Sequence, residues 1–230
     1  MKIHRFYVPD VSLTQDFWLH DEALLHQWNN VLRFRPAQQV VLFDGQSEER
    51  LYQISELSKT EAHLVMKTEM TRKLPKRHIY LFWSLLKKDN NELVLQKCTE
   101  LGVTNFVPII SERSIRKDFN LERAKKIVIE ASEQCGRSDI PAIREPLRLP
   151  TALDEYKNEI RLIFCDERGD NTDESLRGSD RPAGLFIGPE GGWSENEIKL
   201  FKSAGAIHAN IHGLTLRAET AAISVVAKVC

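Results

Sequence analysis

One stretch limits what this chain can fold into more than any other: Leu185-Phe-Ile-Gly-Pro-Glu-Gly-Gly-Trp-Ser-Glu-Asn-Glu-Ile198. Leu185 to Ile187 is a short apolar run between Gly184 and Gly188, the pattern of the end of a buried strand. Ser194, with Glu197 three residues on, forms a capping box, so a helix starts there and turns Ile198, Leu200 and Phe201 inward. Between them lies Gly188-Pro189-Glu190-Gly191-Gly192. A glycine-rich turn from a strand's carboxyl end to a helix's amino end leaves N–H groups free, with no Cβ to block a ligand. In open α/β sheets small ligands bind at that place. The spacing is neither G-x-G-x-x-G nor a Walker loop, so it points away from a dinucleotide or a triphosphate. A tight structural turn is the other way to read it.

A second stretch stands beside it. After Arg217 the chain runs through small and apolar residues to Val229, interrupted only by Glu219 and Lys228. A segment that apolar has to be buried, in the core or against another subunit. Arg217 and Glu219 sit at its mouth, and charged side chains are seldom buried without a partner or a task. They either pair with each other at a helix start or serve a ligand.

With 230 residues the chain can bury a good core in one large or two small domains. Its net charge of −1 means that nucleic-acid binding has to come from local patches. The cysteines at 98, 135, 165 and 230 have neither C-x-x-C pairing nor metal spacing, and read as reduced residues of a cytoplasmic protein. No metal site, signal peptide or transmembrane run is expected.

Residues 1–72 read as a β-rich head: strands at 3–8, 17–19, 39–44, 51–57 and 62–68, with one helix over 21–31. A charged, proline-containing linker, Arg72-Lys-Leu-Pro-Lys-Arg77, marks the change to a second domain over 73–230. There, strands at 79–86, 106–110, 143–145, 161–165, 185–187 and 206–211 alternate with helices at 90–101, 121–135 and 152–156, the capped helix, and a terminal one. Residues 166–182 read as a polar loop. Such alternation implies an α/β fold with a parallel sheet covered on both faces.

The two stretches, G-P-E-G-G-W-S-x-x-E and then Leu216-Arg-Ala-Glu-Thr-Ala221, resemble the bacterial 16S ribosomal RNA uridine N3-methyltransferases of the SPOUT class. His4-Arg5-Phe6, the Val-Leu-Arg ending at Arg33, Lys97-Cys-Thr-Glu-Leu-Gly102, Glu112-Arg-Ser114 and Glu130-Ala-Ser-Glu-Gln-Cys-Gly-Arg137 extend the resemblance over essentially the whole chain. One departure is Ile211-His-Gly-Leu214, where the family usually has Leu-Gly-x-Arg.

The resemblance implies a PUA-like β-barrel head for RNA and a SPOUT domain with a trefoil knot. It also implies a homodimer, with which the apolar terminal segment agrees independently. The partner would be 16S rRNA or the 30S subunit, and the cofactor S-adenosylmethionine, held by three loops. The residues implied for it are Cys165, Ile187, Gly188, Pro189, Gly191, Gly192, Ile211, Gly213, Leu214, Leu216 and Thr220. Uridine N3 carries a proton at neutral pH, so the site must stabilise an anionic uracil. Arg217 suits that task, offering two donors in one plane. Glu190 or Glu219 either accepts the proton or holds the arginine. Arg5, Phe6, Arg33 and Arg35 in the head, and Arg113, Arg116, Lys117 and Arg137 after strands, are the candidates for RNA, through phosphate pairing and base stacking. For Arg33 and Arg35 an ordinary solvated edge is the competing reading.

Overall fold

The computed structural model describes residues 3–114, 118–170, 176 and 181–230, leaving aside the side chain of residue 170. Arg116 and Lys117, and most of the expected loop over 166–182, therefore lie outside the described residues. The described residues divide into two compact units, Met1–Leu74 with Ser132–Ile140, and Pro75–Ala131 with Pro141–Cys230.

The first unit is built on five strands: β1 (His4–Tyr7), β2 (Asp16–Leu19), β3 (Gln39–Phe43), β4 (Glu49–Leu57) and β5 (Ala62–Glu69). They are ordered β1-β3-β4-β5-β2, and only the β1–β3 pair is parallel. The short helix α1 (Glu22–His26) starts where Leu24 N–H donates to Asp21 Oδ1 at 2.9 Å, and continues as a π-helical turn, Gln27–Val31. Its Leu25 and Trp28 fill the core with Phe6, Leu19, Leu42, Tyr52 and Leu64.

Phe6 and two arginines correct the sequence reading here. Phe6 is 3% exposed, so no base can stack on it. On a strand with alternating sides, its side points into the core. Arg5 lies over the Phe43 ring and pairs with the buried Glu49, which also accepts from Ser138 Oγ. Arg5 further donates to the Arg137 carbonyl, and Arg137, 6% exposed, binds Asp139 through two hydrogen bonds. Buried cations of this kind are held by their partners. Arg5 and Arg137 tie Ser132–Ile140 to the strands instead of presenting free guanidiniums. Arg33 and Arg35 are exposed, and Arg33 adopts φ 55°.

The second unit carries β6 (Ile79–Ser84), β7 (Asn105–Ile110), β8 (Ala142–Ile143), β9 (Leu147–Arg148), β10 (Arg161–Asp170), β11 (Ala183–Ile187) and β12 (Ile207–Ala209). The order is β12-β10-β11-β6-β7-β8, with β9 also on β7, and every pairing is parallel. Register places Phe82, Phe186, Phe164 and His208 side by side across four strands. Phe82 stacks on Phe186 at 4.1 Å, and Phe164 on His208 at 4.2 Å. Helices α4 (Leu149–Tyr156) and α5 (Glu195–Ser203) close this aromatic face through Leu153, Tyr156, Ile198 and Phe201. Leu200, expected inside, is 39% exposed and lies on the outer side of α5. The terminal helix α6 (Ala218–Val229) packs on α2 (Lys88–Glu100) and on β6 and β11, burying Ala222, Val225, Val226 and Val229. The remaining helix, α3 (Leu121–Cys135), ends at Gly136 as its spacing predicts.

β10 differs from expectation: it does not stop at Cys165 but continues through the polar residues to Asp170, where it pairs again with Ala209. A Cβ on Gly169 would lie 2.5 Å from the Ala209 carbonyl carbon, so only glycine lets the two backbones pass at this distance. No helix among the described residues is long and apolar enough to cross a membrane.

Candidate functional site

At the carboxyl ends of β10 and β11 the second unit opens a cleft of about 940 Å³. Three chain segments wall it: Cys165 to Arg168 in the polar half of β10, Ile187 to Trp193 running on from the end of β11, and much of Asn210 to Glu219 leading into α6. Lys87, Asn90 and Arg113 complete the rim. The topology explains the convergence, because adjacent parallel strands deliver their following loops to one edge of the sheet.

Each wall is fastened locally. Ser194 Oγ accepts from Glu197 N–H at 3.1 Å, and the Glu197 carboxylate accepts from Ser194 N–H at 2.8 Å, completing the capping box. The second oxygen of Glu197, a residue only 2% exposed, accepts from Glu112 N–H at 2.9 Å. One carboxylate therefore holds the loop after β7 and the start of α5 together. Arg113 adds to this brace by donating to the Gly191 carbonyl at 2.8 Å and the Trp193 carbonyl at 3.4 Å. That occupies part of a guanidinium expected to face RNA. The buried indole of Trp193 donates to the Cys165 carbonyl at 3.1 Å, joining the first two walls. Gly192 adopts φ 68° with open space where a Cβ would stand, so the loop offers bare backbone to the cleft.

The third wall is tied to the first through Glu167. Its carbonyl accepts from Asn210 Nδ2 at 2.9 Å, and its carboxylate from Thr215 Oγ1 at 3.0 Å. Asp166 binds Arg168 through both carboxylate oxygens, and Arg168 also reaches Glu195 at 2.6 Å. Burial pushes the Asp166 carboxyl upward, but hydrogen bonds and charge from Arg168 outweigh it and hold the group below its usual range. The same contacts raise Arg168 above its ordinary value. Cys165 is pushed up to about 12 by burial and by neighbouring Asp166, so it stays a neutral thiol.

The structure brings together Cys165, Ile187, Gly188, Pro189, Glu190, Gly191, Gly192, Ile211, Leu214, Leu216, Arg217 and Glu219 on this cleft. Gly213 and Thr220 are exposed and do not line it. Leu214 borders the cleft while 73% exposed, which makes it a rim residue. Arg217 does not pair with Glu219: neither side chain has a hydrogen bond or ion pair among the described residues. Arg217 is exposed, whereas Glu219 is 7% exposed. Sequence reasoning missed Glu197 as a brace, and Asp166 and Arg168, which reach Glu195 on the capped helix, lay within a stretch read as loop. The capping box was the one signal that could have singled out Glu197.

A second concavity, about 760 Å³, lies in the first unit between residues 9–15 and 44–50. Several of its polar groups are already engaged: Asp44 accepts from three N–H groups and the Ser47 hydroxyl, and Arg50 binds Glu48 and the Leu13 carbonyl. Among the described residues no group of three or more His, Cys, Asp or Glu side chains is placed to hold a metal ion.

Fold and cleft define an α/β protein with a small-ligand site at the carboxyl edge of a parallel sheet, joined to a small β-rich head. Comparison with known proteins makes this more specific. Residues 72–230 match the RNA methyltransferase domain, and residues 30–67 the RNA methyltransferase PUA domain. The chain belongs to this family of RNA methyltransferases. It is 29% identical over 237 aligned positions to the ribosomal RNA small subunit methyltransferase E of Rickettsia conorii, covering 100% of this chain and 96% of the relative. The crystal structure of the Neisseria gonorrhoeae enzyme of the same name, bound to S-adenosyl methionine, is 32% identical with a TM-score of 0.90. That match covers 98% of this chain and 96% of the other. A putative methyltransferase of Legionella pneumophila in complex with the same cofactor is 29% identical, with a TM-score of 0.87 over 98% and 96% of the two chains.

Proposed function

We propose that this protein transfers a methyl group from S-adenosylmethionine to N3 of a uridine in 16S ribosomal RNA, acting as a homodimer on the small ribosomal subunit. The observation that carries the reading is the cleft itself, where the glycine loop meets two charges at the start of α6, Arg217 and Glu219, that have no partner among the described residues. The cleft fits the cofactor. Bare backbone at Gly191 and Gly192 suits the sugar and the adenine edge, Ile187 and Leu216 supply apolar surface, and a buried carboxylate suits a cation. The relatives with bound cofactor support the same assignment.

When bound, the cofactor supplies a methyl group on a sulfonium, activated for transfer to a nucleophile. The chain's own task is to make uracil N3 nucleophilic. A carboxylate, Glu190 or Glu219, takes the N3–H proton, which frees the N3 electron pair to accept the methyl group that the cofactor would supply. The negative charge that develops on the uracil spreads to its carbonyl oxygens, and the Arg217 guanidinium can address it with two donors. The uridine must leave its stack to reach the cleft. Arg33 and Arg35 are exposed head residues whose guanidiniums suit the RNA backbone. A trefoil knot in the second unit is part of the proposal, supported by the family match over residues 72–230.

Titration calorimetry with S-adenosylmethionine, with base mapping of 16S RNA from a deletion strain, tests the proposal. Cofactor binding and the loss of one N3-methyluridine are expected. No binding, or an unchanged modification pattern, would refute it.

A further inference from the structure

The cleft holds several carboxylates, and all but two are engaged by partners among the described residues. Asp166 and Glu195 share Arg168, and Glu167 accepts from Thr215. Glu190 has no partner among the described residues but stands exposed. Glu219 is the anomaly. It is more than nine-tenths buried, it lines the cleft, and its carboxylate accepts no hydrogen bond and meets no cation among the described residues. Its place in the first turn of α6 lets the helix dipole offset part of the cost of burial. The dipole leaves its lone pairs unfilled, and a buried carboxylate without donors is costly.

We infer that Glu219 is the counter-charge for a cationic group of the ligand that fills this cleft. This rests on the assignment of S-adenosylmethionine above, and it divides the two carboxylates between two tasks. The nucleobase arrives from solvent and meets the exposed Glu190 at the rim. A small cofactor seated below it meets the buried Glu219. S-adenosylmethionine carries two cations, the sulfonium and the α-ammonium, and either would supply the missing partner. Glu219 is then a binding residue, and Glu190 takes the uracil proton.

Glu219→Gln keeps the shape and removes the charge. Calorimetry on wild type and variant would use three probes: S-adenosylmethionine, S-adenosylhomocysteine, which lacks the sulfonium charge, and methylthioadenosine, which lacks both cations. S-adenosylmethionine should bind the variant about tenfold or more weakly, the scale of a lost charge-assisted contact, while methylthioadenosine binds both proteins alike. S-adenosylhomocysteine identifies the cation: an equal loss assigns the ammonium, and unchanged affinity assigns the sulfonium. Glu219→Asp, which keeps the charge on a shorter arm, should recover part of the affinity. Without ligand, the Gln variant should melt no lower than wild type, because no native partner is broken. If the variant binds S-adenosylmethionine like wild type, the inference fails while the cofactor assignment stands. If all three ligands weaken together and the melting temperature falls, Glu219 is structural and the inference fails. A wild-type protein that binds no S-adenosylmethionine removes both.

Discussion

Replacing Arg217 separates a chemical role from a structural one. Arg217 caps α6 with its backbone only: its φ and ψ are −64° and 151°, its carbonyl accepts from Ala221 N–H at 2.8 Å, and its side chain makes no capping bond. Arg217→Ala therefore removes an exposed guanidinium with no partner among the described residues and leaves the helix start intact. Exposed substitutions of this kind change stability by no more than about 0.5 kcal/mol. For a chain of this size that is a shift of about 1–2 °C in melting temperature. Turnover is a different matter. If the guanidinium stabilises charge that appears on uracil only as N3 loses its proton, the loss falls on the rate and spares the binding of cofactor and RNA. Removing one such donor costs about 10²–10³ in rate, or roughly 3–4 kcal/mol of barrier. Arg217→Lys should recover only part of this, because an ammonium cannot present two coplanar donors. Single-turnover methyl transfer to small subunits and thermal melting, measured on the same sample, decide the matter. A near-normal rate would refute the catalytic role, and a fall of several degrees would refute the claim that the side chain is unpaired.

Two further outcomes are expected. Glu197→Gln turns one oxygen that accepts a backbone N–H into a donor, so Ser194 or Glu112 loses its partner in a buried site; a cost of about 1–3 kcal/mol, or roughly 2–12 °C in melting temperature, should appear together with weaker cofactor binding, and an unchanged melting curve would show the brace is not needed. Asp44 is drawn upward by burial, but the N–H groups of Glu48, Gln46 and Ser47 and the Ser47 hydroxyl hold it down at about 2, against an ordinary 3.8. Its contribution is complete above the ordinary value and disappears as pH falls toward about 2, so acid titration of Asp44→Asn should show a smaller loss of stability over that window than wild type does.

The elements legible in the sequence are those whose signals are local. The capping box at Ser194 and Glu197 and the glycines before it fix backbone geometry within a few residues, so the strand, loop and helix fall where the spacing puts them. The parallel sheet was legible because strands alternate with helices, and the cleft because such a sheet collects its loops at one edge. What stayed hidden depends on partners far along the chain. Nothing near Arg5 announces Glu49 or Arg137, and a strand's alternation does not reveal that Phe6 takes the inner side. β10 outran its reading because strands are recognised by apolar runs, whereas Asp166 to Asp170 are polar and are held by pairing with Ala209 and by Arg168. The Leu-Arg-x-Glu-Thr-Ala segment shows the limit most clearly. Its sequence placed two opposite charges two residues apart and left open whether they met. In the fold the arginine turns to solvent and the glutamate inward, and among the described residues the two do not meet.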